Sequence, residues 1–377
     1  MSLALGIAAG VVAFSALLGR GEETRAWQIV LVNFLFWSGL ATGGVVAAAI
    51  FVVTEARWAR PLQRLAGACS VYLPVSFLLF LGFWFGRRSL LPWMTQPRAA
   101  IETWLNLPFF FAREAAGLLL LYGLGLVFFY RSVLPNAQTS DDLPPASPAI
   151  RTSNSVSLQR LALALLIAYA FVYSLVAWDF IMALDPHWSS SLLGAFHVVG
   201  NVYLGLAAVA ALAIALRWRY QLEEIIGPAI LRNLGKLIFA FSLLWAYLFW
   251  SQYLVIWYGN LPYETSFVLL RTAERPWNSV ALAVLVLNFL IPFLVLLPRS
   301  RKEDPKTLLA VSVAIMIGMW IERYLLVVPS LTPHAARVAG WEEPLVTLAF
   351  FASFVLLYCM VLSKAPILPT RRLRQQR

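Results

Sequence analysis

Apolar residues fall in long runs along this chain, and polar residues gather in the short gaps between them. Ten runs are bounded by charge, proline or glycine: 3–18, 27–54, 65–86, 106–130, 158–183, 192–216, 232–258, 278–297, 307–328 and 341–363. A bilayer's hydrocarbon layer is about 30 Å thick, so a helix of roughly 20 apolar residues crosses it. The pattern therefore predicts an all-α integral membrane protein with about ten transmembrane helices. The first run is short for that distance. It has no positive stretch ahead of it, as a signal peptide would, and is read as a helix.

The longest break, 135–157, is rich in Pro, Ser, Asn and Asp. It reads as a flexible cytoplasmic linker between helices 1–4 (residues 1–134) and helices 5–10 (158–363), with a basic cytoplasmic tail over 364–377. No internal repeat is evident by eye, so the chain is treated as a single membrane domain, 1–377.

Composition strengthens this picture. Hydrophobic residues make up 61%, charged residues 12%, and mean hydropathy is +0.76. A soluble domain is nearer half apolar and a quarter charged. The net charge of +11 would suggest nucleic acid in a soluble protein. Here the charges lie in loops between apolar runs, and the positive-inside rule accounts for them. Lys and Arg divide about 19 to 9 between alternate loop sets, which predicts that both termini are cytoplasmic.

Cysteine and histidine limit the redox chemistry. Cys69 and Cys359 lie in separate apolar runs, and no CxxC pair exists. Of His187, His197 and His334, only His197 sits within a run. No haem, iron–sulfur or zinc pattern is present, so any redox metal is expected in a partner.

Ionisable groups at membrane depth are costly and are functional candidates by default. Arg113 and Glu114 lie about two turns into the fourth run; their structural alternative is a local pair or snorkelling to the interface. Asp179 lies near the end of the fifth, in WDFIMALDPHWSSS, where a carboxylate could relay protons or bond a quinol hydroxyl. Ser189–Ser191 can cap the next helix. His197, one turn into the sixth run, suits proton release, although a lone histidine among apolar residues is commonly a packed one. In the seventh, Gln252 interrupts an aromatic stretch holding Trp245, Trp250, Tyr253, Trp257 and Tyr258, and the NLPYET run is expected to turn out of the membrane. Glu322 and Arg323 lie late in the ninth run. As sequence neighbours they point to different faces, so they are not expected to pair with each other. Arg113 is expected to take its counter-charge from Glu114 or Glu322. Glu55, at a helix end on the opposite side, is a candidate proton-uptake point.

Three stretches resemble a known family: NFLFWSGLATGGVVAAAIFVVTEARWARPLQRL, WDFIMALDPHWSSSLLGAFHVVGN and LGKLIFAFSLLWAYLFWSQYLVIWYGNLPYET. They are similar to the NrfD-like membrane subunits, most of all the F-type subunit of alternative complex III, a bacterial quinol:electron-acceptor oxidoreductase of the respiratory chain. The resemblance runs from about Asn33 to the final helix. It implies two four-helix bundles plus two extra helices and association with quinone or quinol, with proton conduction as an added role. It also implies a related C-type quinol subunit, a periplasmic iron–sulfur subunit and haem c subunits as partners. The chain would hold no redox cofactor of its own.

Other readings stay open: the anchor of a molybdenum-type reductase of the polysulfide-reductase kind, a structural scaffold, or a secondary transporter. Transporters carry broken helices at corresponding places in their two halves. GLATGG, within 39–44, is a candidate break, with no counterpart in the second half.

Overall fold

The computed structural model describes residues 2–94, 103–133, 148–185, 187–333 and 340–364. Ten helices among them are long and apolar enough to cross a membrane. They are α1 (Ser2–Gly19), α2 (Glu23–Val53), α3 (Arg57–Leu90), α4 (Leu107–Val133), α5 (Pro148–Phe180), α6 (Leu192–Tyr220), α7 (Pro228–Gly259), α8 (Trp277–Leu296), α9 (Pro305–Leu331) and α10 (Glu342–Lys364). The described residues contain no strand. The chain is thus an all-α, multi-pass integral membrane protein.

An even number of crossings among the described residues puts Ser2 and Lys364 on one side, here called the terminal face; the other is the far face. Two short helices were not expected. Pro262–Thr272 lies on the far face, where NLPYET turns back through the left-handed Asn260, and Arg299–Glu303 lies on the terminal face. The linker expected over 135–157 is also shorter than that, because α5 begins at Pro148, a residue suited to a helix's first turn. The rest of that linker, 135–147, lies outside the described residues, as do Arg98, His334, Arg337 and the tail beyond 364.

Helices α2–α5 pack into one bundle and α6–α9 into a second. Contact between α2 and α6 joins them, and α9 also reaches α2. The extra pair, α1 and α10, lie along each other and against α2. Burial follows this order: 83% of the apolar window of α2 is buried within the protein, against 22% for α1, which leaves α1 to lipid. Lipid offers no hydrophobic gain to helices that meet each other, so close approach of small residues drives their packing. Gly43 on α2 and Gly205 on α6 meet backbone to backbone, and a Cβ on either would overlap the other's chain. These glycines do not break α2, which runs continuously through GLATGG. The local breaks lie elsewhere. Pro74 cannot donate a backbone hydrogen bond, and α3 tightens to a 3₁₀ turn at Cys69–Tyr72 just before it. A π-turn at Val286–Leu290 precedes Pro292 in α8.

Helix ends differ in how they are satisfied. Asp304 caps α9 and accepts from the backbone N–H groups of Lys306 and Thr307. These bonds and the Thr307 hydroxyl hold its carboxyl below the usual carboxylate range. Ser191 occupies the cap position of α6 but makes no capping bond, contrary to the role expected of Ser189–Ser191.

Candidate functional site

The far-face half of the membrane holds a line of buried polar groups. It begins between α4 and α5. Asp179, 1% exposed, accepts from Arg113 Nε at 2.8 Å on one oxygen, which is ion-paired with Nη2 at 2.6 Å, and from Trp104 Nε1 at 3.1 Å on the other. Arg113 also donates to the Trp104 carbonyl at 2.7 Å and lies over its ring, 4.0 Å from the centroid. Its counter-charge is therefore Asp179, and neither Glu114 nor Glu322 as expected. Successive helix positions differ by about 100°, so Arg113 faces α5 at a different angle from Glu114. Glu114 is buried beside Asp179, with no donor on either of its oxygens.

Deeper in, hydroxyls take over. Tyr173 on α5 lies 2.8 Å from Thr42 Oγ1 on α2, with Ser38 and Tyr122 alongside. The His197 ring on α6 stacks on Tyr173 at 5.9 Å and 17°. His197 is fully buried, and neither ring nitrogen has a protein partner. One turn further along α6, Asn201 Oδ1 accepts from Arg323 Nη2 at 2.9 Å.

Glu322 and Arg323, expected to point apart, pair directly: Nη1 of Arg323 lies 2.6 Å from Oε1 of Glu322. The backbone directions do diverge, but the long arginine side chain curls back, and burial of both groups makes an unpaired charge costly. Trp245 of α7 donates to the second Glu322 oxygen at 3.0 Å.

Beyond Glu322 and Trp245 lies a cavity of about 100 Å³ between α7, α8, α9 and the short helix Pro262–Thr272. Its lining is mostly apolar, with Phe196, Phe249 and Leu325 among its walls and Gln252 and Glu322 as polar points. Trp188 and Phe267 close one side as parallel rings 3.7 Å apart. Arg271, also on its lining, is buried and spends its donors on the carbonyls of Phe267, Leu325 and Leu326 and on the Ser330 hydroxyl. Burial pushes its guanidinium down to about 9.

All seven sequence candidates thus lie along one path, but in two groups: Arg113, Glu114 and Asp179 at one end, and Glu322, Arg323 and Gln252 at the other. His197 lies between them. Glu55 is apart from this path, on the terminal face, where its carboxylate accepts from Gln159 at 2.9 Å. Of the aromatic group on α7, Trp245 turns inward while Trp250, Trp257 and Tyr258 are exposed.

Sequence reasoning missed Tyr122, Tyr173, Asn201 and Arg271. Asn201, a carboxamide inside an apolar run, carried a usable signal. The tyrosines did not, because interfacial tyrosines are common in membrane helices. Arg271 read as a loop charge.

The fold and site define a class: a multi-pass α-helical membrane protein with an apolar cavity joined to a buried polar line. Comparison with protein-family models and with curated proteins finds no match.

Proposed function

We propose that this chain is a quinone-associated membrane subunit of a bacterial quinol oxidoreductase of the alternative complex III type. The proposal places it in the inner membrane with the far face toward the periplasm and both termini in the cytoplasm. The observation that carries it is the apolar cavity lined by Glu322, whose carboxylate is joined through Arg323 to Asn201 in the buried polar line. Apolar aromatic walls with a few convergent polar groups are what a quinone ring and its isoprenoid tail require. The resemblance of the three sequence stretches points to the same class.

Gln252 offers both a donor and an acceptor to a quinone oxygen, and Glu322 offers a carboxylate for a quinol hydroxyl. Oxidation of quinol releases two protons and two electrons. Electrons would pass to an iron–sulfur centre and haem c in partner subunits, as the resemblance implies. For protons, Glu322, Arg323, Asn201, His197 and the Tyr173 hydroxyl group lead toward Asp179 and Glu114. Several of these carry buried polar atoms without protein partners. In protein interiors such atoms are commonly met by ordered water, which also carries protons.

The test is purification of the tagged chain from native membranes in mild detergent. The proposal expects co-purifying haem c and iron–sulfur subunits, extractable quinone, and a loss of that quinone in Trp245→Ala together with Gln252→Leu. A homogeneous single-chain oligomer with no quinone and no redox partner would overturn it.

A further inference from the structure

Helix α8 changes partners at its π-turn. Its second half, Val286–Leu290 and Ile291–Leu296, packs against α7. Its first half, Trp277–Leu285, packs against α9 and the short helix Pro262–Thr272, and not closely against α7. The change falls at the π-turn and Pro292, the two kinds of feature at which helices bend. Helices α7 and α8 therefore part toward the far face.

The cavity beside Glu322 lies in that gap, with Phe249, Gln252 and Tyr253 of α7 and Ala281 of α8 on its lining. Buried groups close its other sides. Trp245 and Glu322 back it from the bundle interior, and Phe267 and Arg271 of the short helix cover it from the far face. Between α7 and α8 the lining is open: Phe249 is 37% exposed, and Gln252, Tyr253 and Ala281 are half-buried. Phe249 lies ten residues before the end of α7, about 15 Å along the helix, which puts this opening within the apolar layer. The size of the cavity is a second, independent constraint. It holds about 100 Å³, whereas pockets that enclose a whole small-molecule ligand hold roughly 300–1,000 Å³. A compact head fits inside, and anything longer has to extend out of it.

We propose that the gap between α7 and α8 is a lateral opening to the bilayer, and that the ligand's ring head sits at Glu322 and Gln252 while its apolar tail lies out between Phe249 and Ala281 into lipid. This rests on the quinone reading of the cavity. It adds the route of entry and the class of quinone: one carried in the bilayer on a long tail, which reaches the cavity without crossing the far-face water. It also gives the π-turn of α8 a role, since a straight helix would keep α7 as its neighbour and close the opening.

The experiment uses the full-length chain in lipid nanodiscs and reads binding as quenching of tryptophan fluorescence, Trp188 and Trp245 being on the cavity. The probes are a dimethoxy-methyl-benzoquinone without a tail and the same ring carrying a decyl tail, each expressed as its concentration in the bilayer. Ala281→Trp fills the gap. It should raise half-saturation for the tailed quinone about tenfold, the order expected of an overpacked contact, and leave the tail-less one unchanged. An unchanged response to the tailed quinone, or equal weakening of both, would overturn the proposal. If neither quinone quenches the wild-type protein, the quinone reading fails, and the opening is then read without quinone. A bimane attached at position 281 of Ala281→Cys, in a Cys359→Ser background, should be quenched by phosphatidylcholine bearing a doxyl group on its acyl chain and not by iodide. Quenching by iodide, or shielding from both quenchers, would show that the gap does not face lipid.

Discussion

Glu322→Gln isolates the energetics of the site. The substitution keeps size and an acceptor for Trp245 but removes the negative charge from Arg323. The pair is close, at 2.6 Å, and both side chains are buried. At a charge separation of about 4 Å and an effective dielectric near 20, the attraction is about 4 kcal/mol. Stranding one member of a buried pair costs roughly 3–5 kcal/mol. Asn201 bonds Arg323 but carries no charge to replace the carboxylate. The expected loss of stability for Glu322→Gln is therefore about 3 kcal/mol. Arg323→Gln should cost a similar amount, and the double variant much less than their sum, because no charge is then left buried. The assay is unfolding of the three variants by sodium dodecyl sulfate in mixed micelles, monitored by circular dichroism. A strictly additive double variant, or a Glu322→Gln protein as stable as wild type, would refute the pairing argument. If the cavity also handles quinol, Glu322→Gln lowers quinol oxidation in the double background too, which separates the chemical role from the electrostatic one.

Asp179→Asn should leave the chain assembled with its partners while lowering quinol oxidation or proton release at least tenfold, because an amide cannot take and return the proton; two wild-type rates in an intact complex would make the α4–α5 cluster structural. A reporter active only in the cytoplasm, fused to the C-terminus, should give full signal, and a silent fusion beside an active fusion in the α1–α2 loop would invert the orientation. Asp304→Ala should cost about 1 kcal/mol through loss of the α9 cap, measured as a lowered unfolding midpoint. The Asp304 carboxyl is depressed in the folded state, so its contribution is present above its ordinary value of 3.8 and disappears as pH falls through the lower folded value. The wild-type and Asp304→Ala midpoints should therefore stay apart at pH 7 and draw together only as pH falls below 3.8.

The number of crossings, their approximate limits and the charge bias between loops were legible in the sequence, because a bilayer imposes length and apolarity on each span separately. A run such as 192–216 needs no knowledge of its neighbours to be recognised, and the structure extends it only to Tyr220. The cost of burying ionisable groups likewise singled out Asp179, Arg113, Glu322 and Arg323 one at a time. Their partnerships depended on the packing of helices far apart in sequence. Arg113 meets Asp179 because α4 and α5 are neighbours, and Trp245 reaches Glu322 across 77 positions because α7 and α9 share a cavity. The pairing of Glu322 with Arg323 was hidden for a different reason: helical geometry fixes where Cβ points, while the end of a long flexible side chain goes where the low-dielectric interior leaves it the least unpaired charge. The cavity of about 900 Å³ on the terminal face, whose lining includes Arg57, Arg60 and Arg64, shows the same division: spacing alone stacks the three arginines on one side of α3, but the concavity exists only where α2, α5 and the α6–α7 connection close around them.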